Sequence, residues 1–335
     1  MTKLFNSEKY AEKTYKAINA LFDAPSAGVI QTVDTITDII TNVIEAKYYE
    51  LGGQTPSDFV DVQVGRGAYM GQIFQFTSEY VGAPFEQCII NPKSTGVHND
   101  AVADIAVDGI TVANNFFRQK YSISQEELKM ASANRVGFDI IEQKEKSRAK
   151  NWQLGIQNVL FKGLGDGRTF GLNNQTGVTT NVTLLPTAVE KMTSEQIRNF
   201  AGTALATAFA NSNYTVMPNR WLMPTKTYLA LGVPFDNQFA YKTIKDVLED
   251  AFKQAGAPSD FKIVHSIYNN EAGAGAKGLH AFYNTEDVVM YIPKDYTPHP
   301  LYAQGALDMI SDAEGQFTGV LVKRPGAFLY AVEQA

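Results

Sequence analysis

The chain has 335 residues, a formal net charge of −6, 44% hydrophobic residues, 19% charged residues and one cysteine, Cys88. A lone cysteine excludes an intrachain disulfide, and an acidic balance with no Lys/Arg-rich tail argues against tight or sequence-specific nucleic-acid binding, which draws on phosphate neutralisation. No apolar run follows Lys3 and no window approaches the ~18 apolar residues of a membrane span, so a soluble chain without a signal peptide, made inside a cell, is expected.

Low charge combined with 20 Phe and 16 Tyr has two readings. Either much of the outside is buried against neighbours, or a monomer has a large core. Residues 6–23 predict a helix, with Tyr10, Tyr15, Ile18, Leu21 and Phe22 roughly on one stripe; Pro25 and Gly28 end it. Over 29–51 the spacing of Val33, Ile36, Ile39, Ile40, Val43 and Ile44 predicts a second helix, although the β-branched composition favours a strand. Residues 59–64 and 70–81 predict strands, and 101–120 alternates again through Val102, Ile105, Val107, Ile110 and Val112. The breakers Gly82-Ala83-Pro84 and Asn91-Pro92 lie between the last two runs. Together they read as a long hairpin-like excursion with Lys93 at its tip. An isolated two-stranded hairpin is marginal in water, so this one needs something to pack on.

Ser124-Gln-Glu-Glu127 is a capping box, and a helical pattern follows to Lys162, interrupted near Asn134–Gly137. From 138 to 162 it would span about 37 Å at ~1.5 Å per residue. Ile140, Ile141, Trp152, Ile156, Val159 and Leu160 mark its apolar stripe; Glu142, Glu145, Lys146, Arg148 and Lys150 read as its wet face. Gly163 supplies a left-handed stop and opens a glycine-rich turn through Gly165, Gly167 and Gly171. Thr193–Gln196 is a second capping box before a helix over 193–211. Trp221–Pro224 predicts a buried strand, Thr225–Leu231 a short helix, 242–255 an amphipathic helix, and 261–265, 281–283 and 288–292 strands. This alternation implies a layered α/β or α+β domain over 186–295. Two final strands within 319–332 hinge at Pro325.

Nothing in this layout reads as a catalytic, metal or cofactor site. The turn at Gly163–Gly171 has a helix before it and a loop after it, the reverse of a phosphate-binding loop, and reads as structural. His98, His265, His280 and His299 are dispersed, without metal-ligand spacing. Asp246 with Glu249, and Asp34, Asp38 and Glu45, read as solvated carboxylates, and Cys88 as a small buried apolar residue.

The order of these features resembles the major capsid proteins of tailed bacteriophages, with the α+β Hong Kong 97-type fold shared with encapsulins. The likeness to the encapsulin-like capsid family is carried by Leu160-Phe-Lys-Gly163 with Gly171-Leu172-Asn173-Asn174, and by Gly319-Val-Leu-Val-Lys-Arg-Pro325-Gly-Ala-Phe. The resemblance implies an N-arm over 1–50, an E-loop over 67–120, and a P-domain with its spine helix over 121–185, rejoined by 300–325. An A-domain would occupy 186–300. It implies pentamers and hexamers closing into an icosahedral head around double-stranded DNA, without sequence-specific binding, membrane contact or cofactor. Scaffolding, portal and decoration proteins are possible partners, the virion the location, and the host bacterial cytoplasm the place of assembly. Candidate assembly residues are Lys93, Gly163, Gly165, Gly167, Gly273, Gly275 and Pro325. The loop over 272–278 holding Gly273 and Gly275 reads equally as an axis-facing contact or a plain surface loop. An encapsulin-type nanocompartment shell is the alternative within the fold, and an α/β enzyme with an unrecognised site the alternative outside it.

Overall fold

The computed structural model describes residues 47–81, 104–133, 140–234, 242–270, 278–305 and 308–333. Residues 48–128 and 140–335 form one compact body. The second unit, 1–47 with 129–139, is described only at Lys47 and at the end of the helix over Gln125–Ala133. The helix expected over 6–23, Cys88, Lys93 and the loop glycines Gly273 and Gly275 lie outside the described residues.

The helix expected over 29–51 does not extend to its end. Residues 47–50 are non-helical, and Leu51, Gly52 and Gly53 all have positive φ, at 48°, 60° and 85°. The strand expected from 59 also starts late. A one-turn helix, α1 (Pro56–Phe59), comes first because Thr55 and Asp58 form a capping box around Pro56. Strand β1 (Asp61–Val64) follows.

Strands β2 (Gln72–Val81) and β3 (Asp104–Ser124) form the expected hairpin. The 21 residues of β3 span about 70 Å at ~3.4 Å per residue. Its partner changes along its length: Asp104–Ala113 pairs with β2, and Asn114–Ser124 pairs with β11 (Asp308–Thr318). The expected boundary at 120 thus falls inside one continuous strand. At Ser124 the capping box forms as expected: the Glu127 amide donates to Ser124 Oγ and the Ser124 amide to Glu127 Oε2. It starts α2 (Gln125–Ala133). The long helix α3 (Ile140–Lys162) ends at Gly163.

The rest builds around a five-stranded sheet in the order β4-β13-β7-β5-β6. Its strands are β4 (Thr179–Leu185), β5 (Arg220–Pro224), β6 (Lys262–Ser266), β7 (Leu279–Tyr283) and β13 (Leu329–Glu333). Period-2 alternation sends Trp221, Met223, Phe282, Leu329 and Ala331 to one face. There they meet α4 (Ser194–Asn211) and α6 (Ile244–Gln254) through Phe200, Leu205, Leu248 and Phe252. Leu222, Val264, Ala281, Tyr283 and Tyr330 point to the other face, where they meet Trp152, Ile156, Leu160 and Phe161 of α3. A sheet covered on both faces explains why β5 and β7 read as continuous apolar runs. Each large side chain so buried contributes about 1.5–3 kcal/mol.

Strand β8 (Val288–Ile292) pairs with β1 and β12 (Val320–Val322), while β9 (Lys294–Pro298) and β10 (Tyr302–Gln304) pair with β11. Sheet membership therefore crosses the expected line at 185, since β4 sits in the same sheet as β5–β7. The short α5 (Thr225–Ala230) completes the set.

Candidate assembly surfaces

The hairpin presents two different faces. Ile73, Ile110 and Val112 on one side pack against Val289, Tyr291 and Leu321 of the body. On the other, Phe74, Phe76 and Val107 are 52%, 75% and 64% exposed. The register places these three on a single face, opposite Thr111, Gly109 and Ser78. The Phe74 and Phe76 rings pack edge to face over Gly109, where a Cβ would lie 1.8 Å from Phe74 Cζ. One face of the hairpin thus carries a row of exposed aromatic and branched side chains.

The hairpin is held at its root where β3 changes partner. Asn114 and Gln316, 7% and 2% exposed, form a buried amide pair. The Tyr69 amide donates to Gln316 Oε1 at 2.8 Å, and Asn114 Nδ2 donates to the Met70 carbonyl at 2.7 Å and to Gln316 Oε1 at 3.2 Å. Tyr69 is left-handed at φ 62°, preceded by the left-handed Gly65 and Gly67. Its hydroxyl accepts from Lys294 Nζ at 2.6 Å. Lys294 also pairs with Glu314, which holds that carboxyl below its ordinary range.

Helix α3 is fixed near its middle and at its C-terminal end. Arg148, expected on the wet face, is 2% exposed. Its Nη1 donates to the Ser311 carbonyl at 2.8 Å, its Nη2 to Ser311 Oγ at 3.0 Å and to Glu145, and its Nε to the Tyr296 hydroxyl at 2.9 Å. Burial, first, and Glu145 push the Tyr296 phenol up to about 12, so it stays protonated and donates to Glu145 Oε1 at 2.5 Å. The signal was present in the sequence. Arg148, Trp152, Ile156 and Leu160 recur every four residues, so the guanidinium lies on the buried stripe.

The glycine-rich turn caps the C-terminal end of α3. A helix terminus leaves its last carbonyls without partners. Here the returning chain supplies them: the Leu172 amide donates to the Leu160 carbonyl at 2.8 Å and the Asn173 amide to Phe161 at 3.0 Å. Asn174 Nδ2 donates to the Lys162 carbonyl at 2.9 Å, and its Oδ1 accepts from the Gly171 amide at 2.6 Å. Such close approach leaves no room for side chains. A Cβ on Gly163 (φ 67°) would lie 2.1 Å from the Thr169 carbonyl oxygen, and one on Gly171 2.4 Å from the Phe161 carbonyl carbon. The second motif docks on the first: the Val320 amide donates to the Phe170 carbonyl at 2.7 Å, and a Cβ on Gly319 would clash with that same oxygen. The two segments that carried the resemblance are thus in contact.

Of the other expected residues, Gly165 and Gly167 have φ 70° with open space around them, at an exposed tip with Leu164. Pro325 opens the 3-10 turn Pro325–Ala327 between β12 and β13. Asp246 caps α6 through Thr243, and Glu249 pairs with Lys245. His265 and His280 are buried, and among the described residues no group has the makings of a metal site. No helix among the described residues is long and apolar enough to cross a membrane.

A family model described as "Major capsid protein" matches residues 93–332. The capsid of Myoviridae phage XM1 matches with a TM-score of 0.73 at 12% identity, covering 90% of this chain and 98% of that one. The capsid of a native GTA particle matches at 0.58 and 13% identity, covering 93% and 100%. Mycobacterium phage Che8 matches at 0.55 and 10% identity, covering 87% and 94%. No curated protein matches in sequence. The chain therefore belongs to the major capsid protein family, with the Hong Kong 97-type fold.

Proposed function

We propose that copies of this chain form pentamers and hexamers that close into an icosahedral phage head around double-stranded DNA. The observation that carries this reading is the exposed row of Phe74, Phe76 and Val107 on a hairpin otherwise anchored to its own body. A neighbouring copy covers it. Each contact is modest, and repetition over a closed shell multiplies it. The exposed tip at Gly165 and Gly167, the turn at Pro325, and Lys93, Gly273 and Gly275 are proposed as further contact or flex points. Gly163 acts indirectly, by letting the turn fold back on its helix. Assembly takes place in the host bacterial cytoplasm, with scaffolding, portal and decoration proteins as partners and no sequence-specific DNA contact.

The double substitution Phe74→Asp/Phe76→Asp tests this. Closed particles are expected to disappear from electron micrographs, while the far-ultraviolet circular dichroism stays that of the wild type. Particles in undiminished yield would contradict the proposed role of the hairpin face.

A further inference from the structure

Residues 49–53 form a strap packed against β6, the last strand of the five-stranded sheet. Its backbone is unusual. Leu51, Gly52 and Gly53 are left-handed in succession, a conformation that a leucine, at φ 48°, rarely adopts. Leu51 is nevertheless buried, and the Gly53 and Gln54 amides donate back to the Glu50 and Leu51 carbonyls at 3.2 and 3.1 Å. Tyr49 packs edge to face on Tyr268 at 6.3 Å. The strap lies where the compact body begins, since residues 1–47 belong to the other unit.

The strap sits on a histidine. A Cβ on Gly52 would lie 2.6 Å from Cε1 and 3.3 Å from Nε2 of His265, a residue of β6 that is 7% exposed. Tyr228 of α5 stacks on the same ring at 4.1 Å, and Nδ1 shares a hydrogen bond with Thr225 Oγ1 at 3.2 Å. Nothing in this surround welcomes a proton. From α6, Lys245 Nζ donates to the Tyr228 hydroxyl at 2.9 Å and pairs with Glu249. From the strap, Glu50 is drawn away to Lys150 of α3, and burial keeps the Tyr49 and Tyr268 phenols protonated. Among the described residues no carboxylate pairs with His265. Burial, first, and the Lys245 charge lower its proton affinity below that of an ordinary histidine.

We infer that residues 49–53 are an acid-released strap: a proton on His265 lifts Gly52 and Leu51 from β6 and loosens the point from which the chain before residue 48 departs. While the strap is down, the imidazole is desolvated beside Lys245 and resists protonation. With the strap lifted it meets water and takes a proton near the ordinary value of about 6.5. The lifted form therefore binds more protons, and acid favours it. Leu51 pulls in the same direction, because lifting lets it return to an ordinary φ. The device belongs to the single chain and works whether or not copies close into a shell.

Hydrogen exchange of the full chain tests this, read by mass spectrometry over residues 48–56 from about pH 7.5 to about pH 5 and corrected for the intrinsic exchange rate. Below about pH 6.5, opening of the strap is expected to rise by up to about tenfold per pH unit, while residues 279–283 of the central sheet keep their protection. His265→Gln keeps a hydrogen-bonding side chain but takes no proton, so its strap is expected to exchange independently of pH. Lys245→Gln removes the neighbouring charge and is expected to weaken the acid response with His265 in place. Constant protection of the wild-type strap across the range would overturn the inference. So would an undiminished acid response in His265→Gln, or loss of protection at 279–283 in step with the strap, which would mean acid unfolding of the body. If the His265→Gln strap is open at every pH, Lys245→Gln decides: a weakened response supports the switch, and an unaltered one overturns it.

Discussion

Arg148 shows how one residue sets the attitude of a helix. A buried guanidinium is tolerable only when its donors are used, and here they reach Ser311, Tyr296 and Glu145 on three different segments. Removing it takes the guanidinium away from Glu145 and the Tyr296 hydroxyl, which are left only with each other. Arg148→Ala is expected to cost about 3–5 kcal/mol in urea unfolding of the subunit. A loss within the surface range of about 0.5 kcal/mol would show that the network is dispensable. Gly163→Ala meets both a left-handed backbone and the Thr169 carbonyl. It is expected to lower the thermal midpoint, whereas Gly165→Ala, strained but unobstructed, lowers it less. Equal effects would mean that conformation alone decides. Asp166 supplies a pH test. The Arg168 amide, first, and the Thr169 amide and hydroxyl hold its carboxyl below the ordinary value. A lowered carboxyl stabilises the fold above the ordinary range near pH 4, and that contribution is lost as pH falls through the lowered value. The stability gap between wild type and Asp166→Asn is therefore expected to close on acidification from pH 7 to 3. A gap constant with pH would rule out the carboxylate charge as its source.

At the scale of elements, most of the chain was legible because local rules and tertiary demands agree. The capping boxes at Ser124 and Thr193 start helices where they should, with Thr193 Oγ1 accepting from the Gln196 amide. The hairpin was legible from alternation and breakers, and so was its need for something to pack on. Most of what escaped the sequence depends on partners far along the chain. The lock at the hairpin root joins Asn114 to Gln316, and no local pattern marks either amide. Phe59 and Val60 read as the start of a strand because they open the alternation over 59–64, but Thr55, Pro56 and Asp58 bend that stretch into a helical turn first. The Gly-Leu-Asn-Asn motif was visible as a motif; its work as the cap of α3 was not. That requires the return of the chain onto carbonyls twelve residues earlier, as in the bond from Leu172 to Leu160.

At the scale of the molecule, the reading of the aromatic-rich composition as a large core holds, and the reading as surface covered by neighbours remains the proposal. The body does have a large core, packed on both faces of its central sheet. The chain also exposes aromatic side chains, above all on the hairpin. The family match answers the enzyme alternative at the level of class, since the family is one of capsid structural proteins. The central claim is that the hairpin finds its partner in another copy. Mass measurement of the purified full chain by light scattering, paired with electron microscopy, tests it most directly. The account predicts closed particles or capsomers many times the 36.8 kDa of one chain. A monodisperse 36.8 kDa species under all conditions, with Phe74 and Phe76 covered by their own body, would contradict it.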